Sequence, residues 1–383
     1  MSLMHFPSPP AGSTFPELRA EVRALLRETL GQDYGPVLQA RSWNGHDPEF
    51  SRKLGEKGWL GMTLPVEYGG HGRSALERYV VVEELLAAGA PVAAHWIADR
   101  QSAPNILHFG TEEQRRGILP RVAAGTCFFC IGMSEPDSGS DLAAVRTRAL
   151  PVEGGFRVNG TKLWTTYAHK AHYMILFCRT DKSDDRHGGM SQFVVDLTTP
   201  GITIRPIYDM SGEHHFNEVS FEDVFLPGTA LLGNPGDGWK QVMAELAFER
   251  SGPERFLSSF AVLNELLRVL SKAPADPVAR RVIGRLTAHL MVLRQMSRSV
   301  AGMLAAGQNP SLQATIVKDL GALIEQEIPQ IARSLIPSEP EPGAHDPFLA
   351  TLAYTLLAAP SFSLRGGTRE ILRGIIARGL GLR

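Results

Sequence analysis

The sequence predicts an α+β protein built from three consecutive segments. The first third has apolar residues at helical spacing, the middle third has short apolar runs separated by Gly, Pro and Asp, and the last third returns to helical spacing. A chain of 383 residues exceeds one ordinary hydrophobic core. We therefore expect a multidomain protein with domains at residues 1–126, 127–237 and 238–383.

The N-terminal third predicts helices alone. Asp47 offers an N-cap and Pro48 a first-turn proline, while Thr111 and Gln114 form a capping-box sequence. An amphipathic pattern without caps is also typical of a helix when it runs for several turns. The predicted helices are residues 15–30, a helix from 48 to Gly58, 75–88, 92–109 and a helix from 111.

The middle third predicts strands. Its apolar runs are short and mostly rich in β-branched and aromatic residues, and no helical pattern lies between them. Such a series favours an antiparallel barrel or sandwich. The predicted strands are residues 127–133, 146–150, 155–158, 173–179, 191–196, 202–206 and 218–224.

The C-terminal third predicts long helices. Ser251 and Glu254 form a second capping-box sequence, with Pro253 in the first turn, so a helix start is expected there. The predicted helices are residues 240–248, 256–270, 277–306, 310–334, 347–358 and 370–380.

Composition excludes several classes of protein. The formal net charge is −1, which argues against a dedicated nucleic-acid binder. The chain has no apolar run of about eighteen residues, so no membrane span is expected. Three cysteines are few, which suits a reducing, cytoplasmic compartment. Cys127 and Cys130 have the spacing of a redox or zinc pair, but no second Cys/His pair accompanies them, so buried core thiols are expected.

Two segments of the middle third could contact a ligand. The apolar run ending at Met133 stops in a turn of Ser, Glu, Pro, Asp and Gly over residues 134–142. A second segment, residues 159–166, places an indole and two hydroxyls together. Plain structural roles are also open, because Ser134 and Ser140 suit a turn and Trp164 suits a core.

Together these two segments resemble the acyl-CoA dehydrogenase family. Further segments resemble it in family order, at residues 54–70, 109–120, 216–239 and 366–376. The resemblance implies an N-terminal helical domain, a central antiparallel β-barrel and a C-terminal four-helix bundle. It also implies FAD, since no side chain in the sequence could itself accept the hydrogens of an acyl thioester.

The resemblance assigns contacts residue by residue. Ser140 and Arg250 match positions beside the CoA moiety, where a fixed cation suits a phosphate or carbonyl. Thr368 also suits the N-cap of the last helix. The positions that match flavin contacts are Ile131, Met133, Ser134, Trp164, Thr166, Thr368 and Glu370.

The catalytic base is expected at an unusual place. Many family members carry a glutamate directly before the Gly-Thr that precedes the last helix, but Gly366 stands there, and Arg365 is always protonated. A second family position, the Glu of a Glu-Arg pair, is occupied by Glu249. We expect Glu249 just ahead of a helix start, which stabilises a carboxylate until substrate binding desolvates it. The plain alternative is an exposed ion pair with Arg250.

Two segments of the usual family pattern are missing. Neither the Arg…Phe-Gly segment after Leu270 nor the Gln…Gly-Gly-x-Gly segment within residues 344–360 is present. Both normally complete the FAD pocket across a dimer interface, so an altered interface is expected. Residues 95–101 and 214–219 resemble a branch that acts on steroid side chains and includes heterotetramers. This implies a branched, alicyclic or steroid-like acyl-CoA, an electron-transfer flavoprotein or similar acceptor, and a homodimer, tetramer or heterotetramer.

Other functions stay open at this point. The chain could be a base-poor structural partner subunit, an acyl-CoA oxidase, or a relative from the DNA-associated branch of the fold, although its charge does not favour the last. His214 and His215 face opposite sides of a strand, so they do not suit a shared metal. No serine-hydrolase or zinc-protease motif is present.

Overall fold

The computed structural model describes residues 4–382, except for the side chains of residues 245–249. The chain divides into two compact units. The helical unit consists of Met1–Asp47, Arg73–Ala93 and Ala247–Arg383, and the sheet unit consists of Pro48–Gly72 and Ala94–Leu246.

The chain before the first strand is helical, as predicted. Side-chain capping boxes start two of its helices, at Ser74 and at Thr111. The predicted continuous helix over residues 92–109 is interrupted by a π-helical turn at Ala98–Ser102, just before Pro104, which lacks the amide donor of a regular helix. The helices are α1 Pro16–Leu30, α2 Pro36–Ala40, α3 Pro48–Glu56, α4 Ala75–Ala87, α5 Ala93–Ile97, α6 Ala103–Phe109 and α7 Glu112–Ala123.

The middle of the chain forms one sheet of eight strands, in the order β6-β7-β3-β2-β4-β5-β8, with β1 pairing β4. Its two longest strands, β3 and β7, pair with each other and carry most of the polar residues discussed below. The strands are β1 Phe129–Gly132, β2 Arg148–Val152, β3 Gly155–Thr166, β4 Tyr173–Arg179, β5 Met190–Asp196, β6 Ile202–Tyr208, β7 His214–Pro227 and β8 Leu231–Leu232.

The expected closed antiparallel barrel is an open, mixed sheet instead. β1 and β2 both pair with β4 in parallel, while the other pairings are antiparallel. The strand path ends at β6 and at β8 without a closing pair between them in the described chain. A two-residue strand such as β8 is too short to form a closing ladder.

Both faces of the central strand β4 are covered by apolar side chains. Its residues Met174 to Cys178 are all buried, so the strand reads as a continuous apolar run without alternation. One face packs against Ile106 of α6 and Leu119 of α7, and the other contacts Val219 and Phe221 of β7. The sheet is therefore a rigid base for the polar turn that follows β1.

The last third of the chain is helical, as predicted. Asp276 and Asp346 cap two helices with side-chain hydrogen bonds, and an apolar core including Leu286, Ile328 and Leu352 lies between α9, α10, α11 and α12. The helices are α8 Gly238–Glu249, α9 Phe260–Leu270, α10 Pro277–Ala305, α11 Ser311–Leu335, α12 Pro347–Ala358 and α13 Arg369–Gly379.

The helix start predicted at Ser251 is wrong. The chain makes only a 3-10 turn at Pro253–Arg255, without a side-chain cap, and the next helix begins at Phe260. Glu254 lies within this turn and is buried, with 3% of its surface exposed. Glu249 is therefore the last residue of α8 and has no helix N-terminus beside it to stabilise a carboxylate.

A buried ionic network joins three helices of the helical unit. Glu83 of α4 accepts hydrogen bonds from Arg294 Nε and Nη2 of α10 at 2.7 and 2.9 Å, and Arg19 of α1 reaches the same carboxylate at 2.7 Å. Burial raises the pKa of Glu83, but the two guanidiniums outweigh it and hold that pKa below its usual range. The network fixes α1 and α10 against α4.

The three cysteines are buried free thiols, as predicted. Burial raises the pKa of Cys127 to about 11 and that of Cys178 to about 12, so neither is a thiolate at neutral pH.

One stretch, Pro347–Gly379, passes the length and hydropathy test for a membrane span, although the sequence showed no unbroken apolar run of that length. Half of its most apolar window is buried in the structure.

Candidate active site

In the sheet unit, the polar turn after β1 is tied to β3. The carbonyl oxygen of Ser134 accepts a hydrogen bond from the Leu163 amide at 2.9 Å. Glu135 and Ser138 pair with each other through their backbones, which tightens the turn. Ser140 lies farther along the turn and is exposed. The structure thus brings Met133 and Ser134 next to the strand that carries Trp164.

Trp164 occupies an unusual position for a large aromatic residue. The pairing of β3 with β7 shifts register between Lys162 and Thr165, and Trp164 lies in this bulge with φ of 60°. Its side chain is 57% exposed and meets Phe216 edge to face, with ring centroids 5.9 Å apart. A non-glycine residue in left-handed backbone costs on the order of 1–3 kcal/mol and is often retained for function. Trp164 is therefore no core residue.

The exposed groups around this bulge fit one edge of a flavin. Thr166 pairs with Phe216, the residue whose ring the Trp164 indole meets, so both lie beside the same aromatic side chain. Within the described chain, the Ser134 amide N–H has no backbone hydrogen-bond partner. An exposed indole with a hydroxyl and an amide donor suits a flat ring whose edge carries carbonyl and ring-nitrogen acceptors. Ile131 and Met133 are half-buried at the end of β1.

A buried ion pair lies beneath this turn, and the sequence interpretation missed it. Lys162, with no exposed surface, donates from Nζ to Glu135 Oε1 at 2.8 Å and to the Met133 carbonyl oxygen at 3.1 Å. Glu135 also accepts from the amides of Thr147 and Arg146 at 2.9 and 2.7 Å. Strand alternation could have revealed it, because Lys162 shares the face of buried Val158.

The pKa values of this pair follow from burial and mutual attraction. Burial raises the pKa of Glu135, but the Lys162 ammonium and the amide donors outweigh it and lower that pKa overall. Burial lowers the pKa of Lys162, against the opposing effect of Glu135. The lowered pKa of Glu135 and the short hydrogen bond from Lys162 to it describe an ion pair.

Histidines surround the next part of β7. His214 stacks on His169 with ring centroids 3.8 Å apart, whereas His215 is buried and contacts Asp209 and Glu213 at 2.7 and 2.8 Å. The two adjacent histidines thus face opposite sides of the strand, as predicted. Among the residues that the structure describes, no group of three His, Cys, Asp or Glu side chains is placed to hold a metal ion.

In the helical unit, a glycine turn precedes α13. Gly366 and Gly367 have φ of 71° and 99°, a conformation that other residues rarely adopt. Three successive carbonyl oxygens of this turn each accept a hydrogen bond from a different cationic side chain. The pairs are Arg255 Nη1 with Arg365 at 3.3 Å, Arg250 Nε with Gly366 at 3.3 Å, and Lys318 Nζ with Gly367 at 2.7 Å.

These three cations form what we call the carbonyl clamp: Arg250, Arg255 and Lys318, all at most 3% exposed. Buried cations are costly unless hydrogen-bonded, so the clamp and the turn fix each other. The sequence interpretation missed Arg255 and Lys318 because a charge in a helical pattern usually faces solvent. Arg250, moreover, is not the exposed ion pair considered as the plain alternative.

The remaining sequence-predicted residues of this unit lie nearby in the chain. Thr368 is the N-cap residue of α13, yet its side chain makes no capping bond. Glu370 is exposed, and hydrogen bonds from its own amide and from the Thr368 hydroxyl lower its pKa. Arg365 lies over the rings of Trp43 and Phe362, at 4.3 and 4.6 Å from their centroids. The Glu249 side chain lies outside the described residues.

Comparison with known proteins agrees with this architecture. Three acyl-CoA dehydrogenase domain families match the chain: the N-terminal domain at residues 16–126, the middle domain at 130–224 and the C-terminal domain at 236–381. Acyl-CoA dehydrogenase IpdE1 of Mycobacterium tuberculosis is 32% identical, over 96% of this chain and 97% of that protein. Acyl-CoA dehydrogenase FadE34 of the same organism is 34% identical over 97% of this chain, which spans 52% of its length.

Solved structures are similar over nearly the whole chain. The Tcur3481-Tcur3483 steroid ACAD has a TM-score of 0.85 at 28% identity, covering 99% of this chain and 100% of that chain. The ChsE4-ChsE5 complex from Mycobacterium tuberculosis has a TM-score of 0.83 at 28% identity, covering 100% of both chains.

The fold and the site together define a flavoprotein oxidoreductase that acts on acyl-CoA thioesters. The chain belongs to the acyl-CoA dehydrogenase family. Its cofactor is FAD, for which the exposed Trp164 face and the Ser134 amide provide a suitable surface.

Proposed function

We propose that this chain catalyses the α,β-dehydrogenation of a branched, alicyclic or steroid-like acyl-CoA to its trans-2-enoyl-CoA, with Glu249 as the base. FAD, when bound, accepts the hydrogen that leaves the β-carbon as hydride. The residues of the chain hold the thioester in place and remove the proton from its α-carbon.

One contact supports Glu249 above all. Arg250, the next residue in the chain, donates to the carbonyl oxygen of Gly366 at 3.3 Å. Gly366 is the position where many family members carry the catalytic glutamate. The contact supports Glu249 because it holds the residue next to it in the chain beside that position, although Gly366 itself offers no carboxylate.

The remaining roles follow the polar residues already described. Trp164, Thr166, Ser134, Met133 and Ile131 would hold the flavin ring from the sheet unit. Thr368 and Glu370 would meet the cofactor at the start of α13. Ser140 would bind the CoA moiety, where a hydroxyl suits phosphate and carbonyl oxygens. The CoA contact of Arg250 stays a prediction from the resemblance, because this side chain is 3% exposed and already donates to the Gly366 carbonyl.

The class of acyl group rests on similarity. One solved structure that this chain resembles over its whole length is described as a steroid ACAD, and another is a complex of two different chains. The two family segments that usually complete the FAD pocket across a dimer interface are missing here. A heteromeric assembly in the cytoplasm, with an electron-transfer flavoprotein or similar acceptor, is therefore the form we propose.

Visible absorption of the purified chain, alone and assembled with its partner subunit, tests this function. We expect the form that holds FAD to be yellow, and its flavin absorption to bleach under anaerobic conditions with branched or cyclic acyl-CoAs, and more slowly with straight-chain ones. Bleaching of the assembled form that is unchanged in Glu249→Gln would instead indicate a structural partner subunit. Peroxide formed in air at the rate of substrate oxidation would indicate an acyl-CoA oxidase.

A further inference from the structure

We propose that Lys162 is a positioning residue that polarises the Met133–Ser134 peptide and thereby tunes the flavin. The proposal rests on the placement of FAD against Ser134 and Trp164 given above. It goes beyond that placement, because it assigns a redox role to a buried side chain that contacts neither cofactor nor substrate.

The first step is the direction of the peptide. Lys162 Nζ lies 3.1 Å from the Met133 carbonyl oxygen and has no exposed surface, so this carbonyl points into the sheet unit. The structure has no cis peptide in its described part, and in a trans peptide the N–H points opposite to the C=O. The Ser134 N–H therefore points away from the buried lysine, towards the half-exposed side of the turn.

The second step is electrostatic. An ammonium bonded to a peptide oxygen draws electron density from the amide, which strengthens the N–H as a donor. This effect is large where water is excluded, as it is around Lys162. A two-electron-reduced flavin carries more negative charge at its N1–C2=O edge than the oxidised form, so a stronger donor to that edge would favour reduction.

The third step concerns the counter-ion. Glu135 holds the ammonium at 2.8 Å and is itself fixed by two backbone amides, so the charge cannot move away from the peptide. Glu135 also opposes the field of Lys162. Removal of both charges should therefore make the flavin midpoint potential more negative without leaving a buried unpaired charge, whereas Lys162→Arg keeps the cation beside the peptide. A merely structural pair would shift both variants the same way.

The test uses FAD-loaded protein, with its partner subunit if that form holds FAD, at pH 7. We compare the flavin midpoint potential of the wild type, Lys162→Arg and Lys162→Met/Glu135→Gln, with exposed Lys182→Met as the matched control. We expect a more negative potential for the double variant, a potential close to that of the wild type for Lys162→Arg, and no change for Lys182→Met.

Equal potentials in the wild type and the double variant would overturn this proposal alone, provided that both bind FAD. A clearly more negative potential for Lys162→Arg, which keeps a cation at this position, would also overturn it, even where the double variant does not fold. A wild-type protein that binds no FAD in any assembly would overturn the placement of FAD itself and with it this inference.

Discussion

Arg250 Nε donates to the carbonyl oxygen of Gly366 at 3.3 Å, from a position 116 residues earlier in the chain. The contact joins the end of α8 to the turn that precedes α13. It is one of three bonds of the carbonyl clamp, which together fix a turn that carries no catalytic side chain of its own. The proposed chemistry depends on this arrangement.

Loss of the clamp should affect both stability and turnover. We expect Arg250→Met to lower the free energy of unfolding by about 1–3 kcal/mol, because a buried carbonyl loses its donor. Activity should fall as well, since the turn is no longer fixed. Denaturant unfolding and steady-state rates check this. Arg268→Met is the matched control, because that partly exposed ion pair with Glu265 is worth only about 0–1 kcal/mol.

The backbone of the glycine turn gives a second prediction. Gly367→Ala should destabilise by about 1–3 kcal/mol, because φ of 99° is unfavourable for alanine even where space allows its Cβ. Gly284→Ala, in the exposed middle of α10, should instead stabilise by about 0.5–1 kcal/mol. Thermal melts of the two variants compare the same substitution, glycine to alanine, at two positions of the helical unit. Equal shifts of the two melting temperatures would show that the turn is unstrained.

Local signals predicted much of this structure. The capping box at Thr111 and the short β-branched and aromatic runs of the strands depend on residues close in sequence, and the structure has both. The π-helical turn at Ala98–Ser102 was missed because its apolar spacing resembles that of a regular helix. The helix start at Ser251 was wrong because the chain there makes only a 3-10 turn, which packs against α4 and α11, helices that are distant in sequence.

In the candidate site, too, local sequence signals were recognised, whereas contacts between distant residues were missed. Trp164 and Ser134 were predicted from motifs of residues close in sequence, and their contact with the cofactor stays a prediction. Lys162, Arg255 and Lys318 could not, because a buried cation is recognised only through partners that folding brings to it. The open sheet, too, depends on which distant strands pair.

Trp164 has a strained backbone and an exposed side chain. Its substitution should therefore affect folding and FAD binding differently. Trp164→Gly should leave stability unchanged or raise it by about 1 kcal/mol, because glycine accepts φ of 60° and little core is lost. Its affinity for FAD should fall. Unfolding of the apoprotein and FAD titration measure the two effects. By contrast, Trp96→Ala, at a site that is 5% exposed, should cost about 3–5 kcal/mol.

Two buried glutamates should respond to pH in opposite ways. The pKa of Glu83 is lowered on folding, so its contribution is present at neutral pH and lost as pH falls below 4.5 through the lower folded value. Glu83→Gln should therefore destabilise strongly at pH 7, by about 3–5 kcal/mol, and less in acid.

Burial raises the pKa of Glu325, against the opposing effects of Arg365 and Ser258, so ionisation of this group destabilises the fold as pH rises above 4.5. Glu325→Gln should keep the bond from the Ser258 amide, which is 2.7 Å long in the wild type, and should gain stability relative to wild type between pH 4 and pH 7. Unfolding curves over this pH range measure both variants. Parallel pH profiles of the two variants would contradict the assignment.

The rate of flavin bleaching by acyl-CoA in Glu249→Gln tests the proposed mechanism most directly. Glu245→Gln, one helical turn earlier on α8, is the matched control, and FAD content is measured for each protein. We predict that Glu249→Gln retains FAD but bleaches about 10²–10⁴-fold more slowly, as expected for loss of a general base, while Glu245→Gln bleaches at the wild-type rate. Bleaching of Glu249→Gln at the wild-type rate would contradict the account.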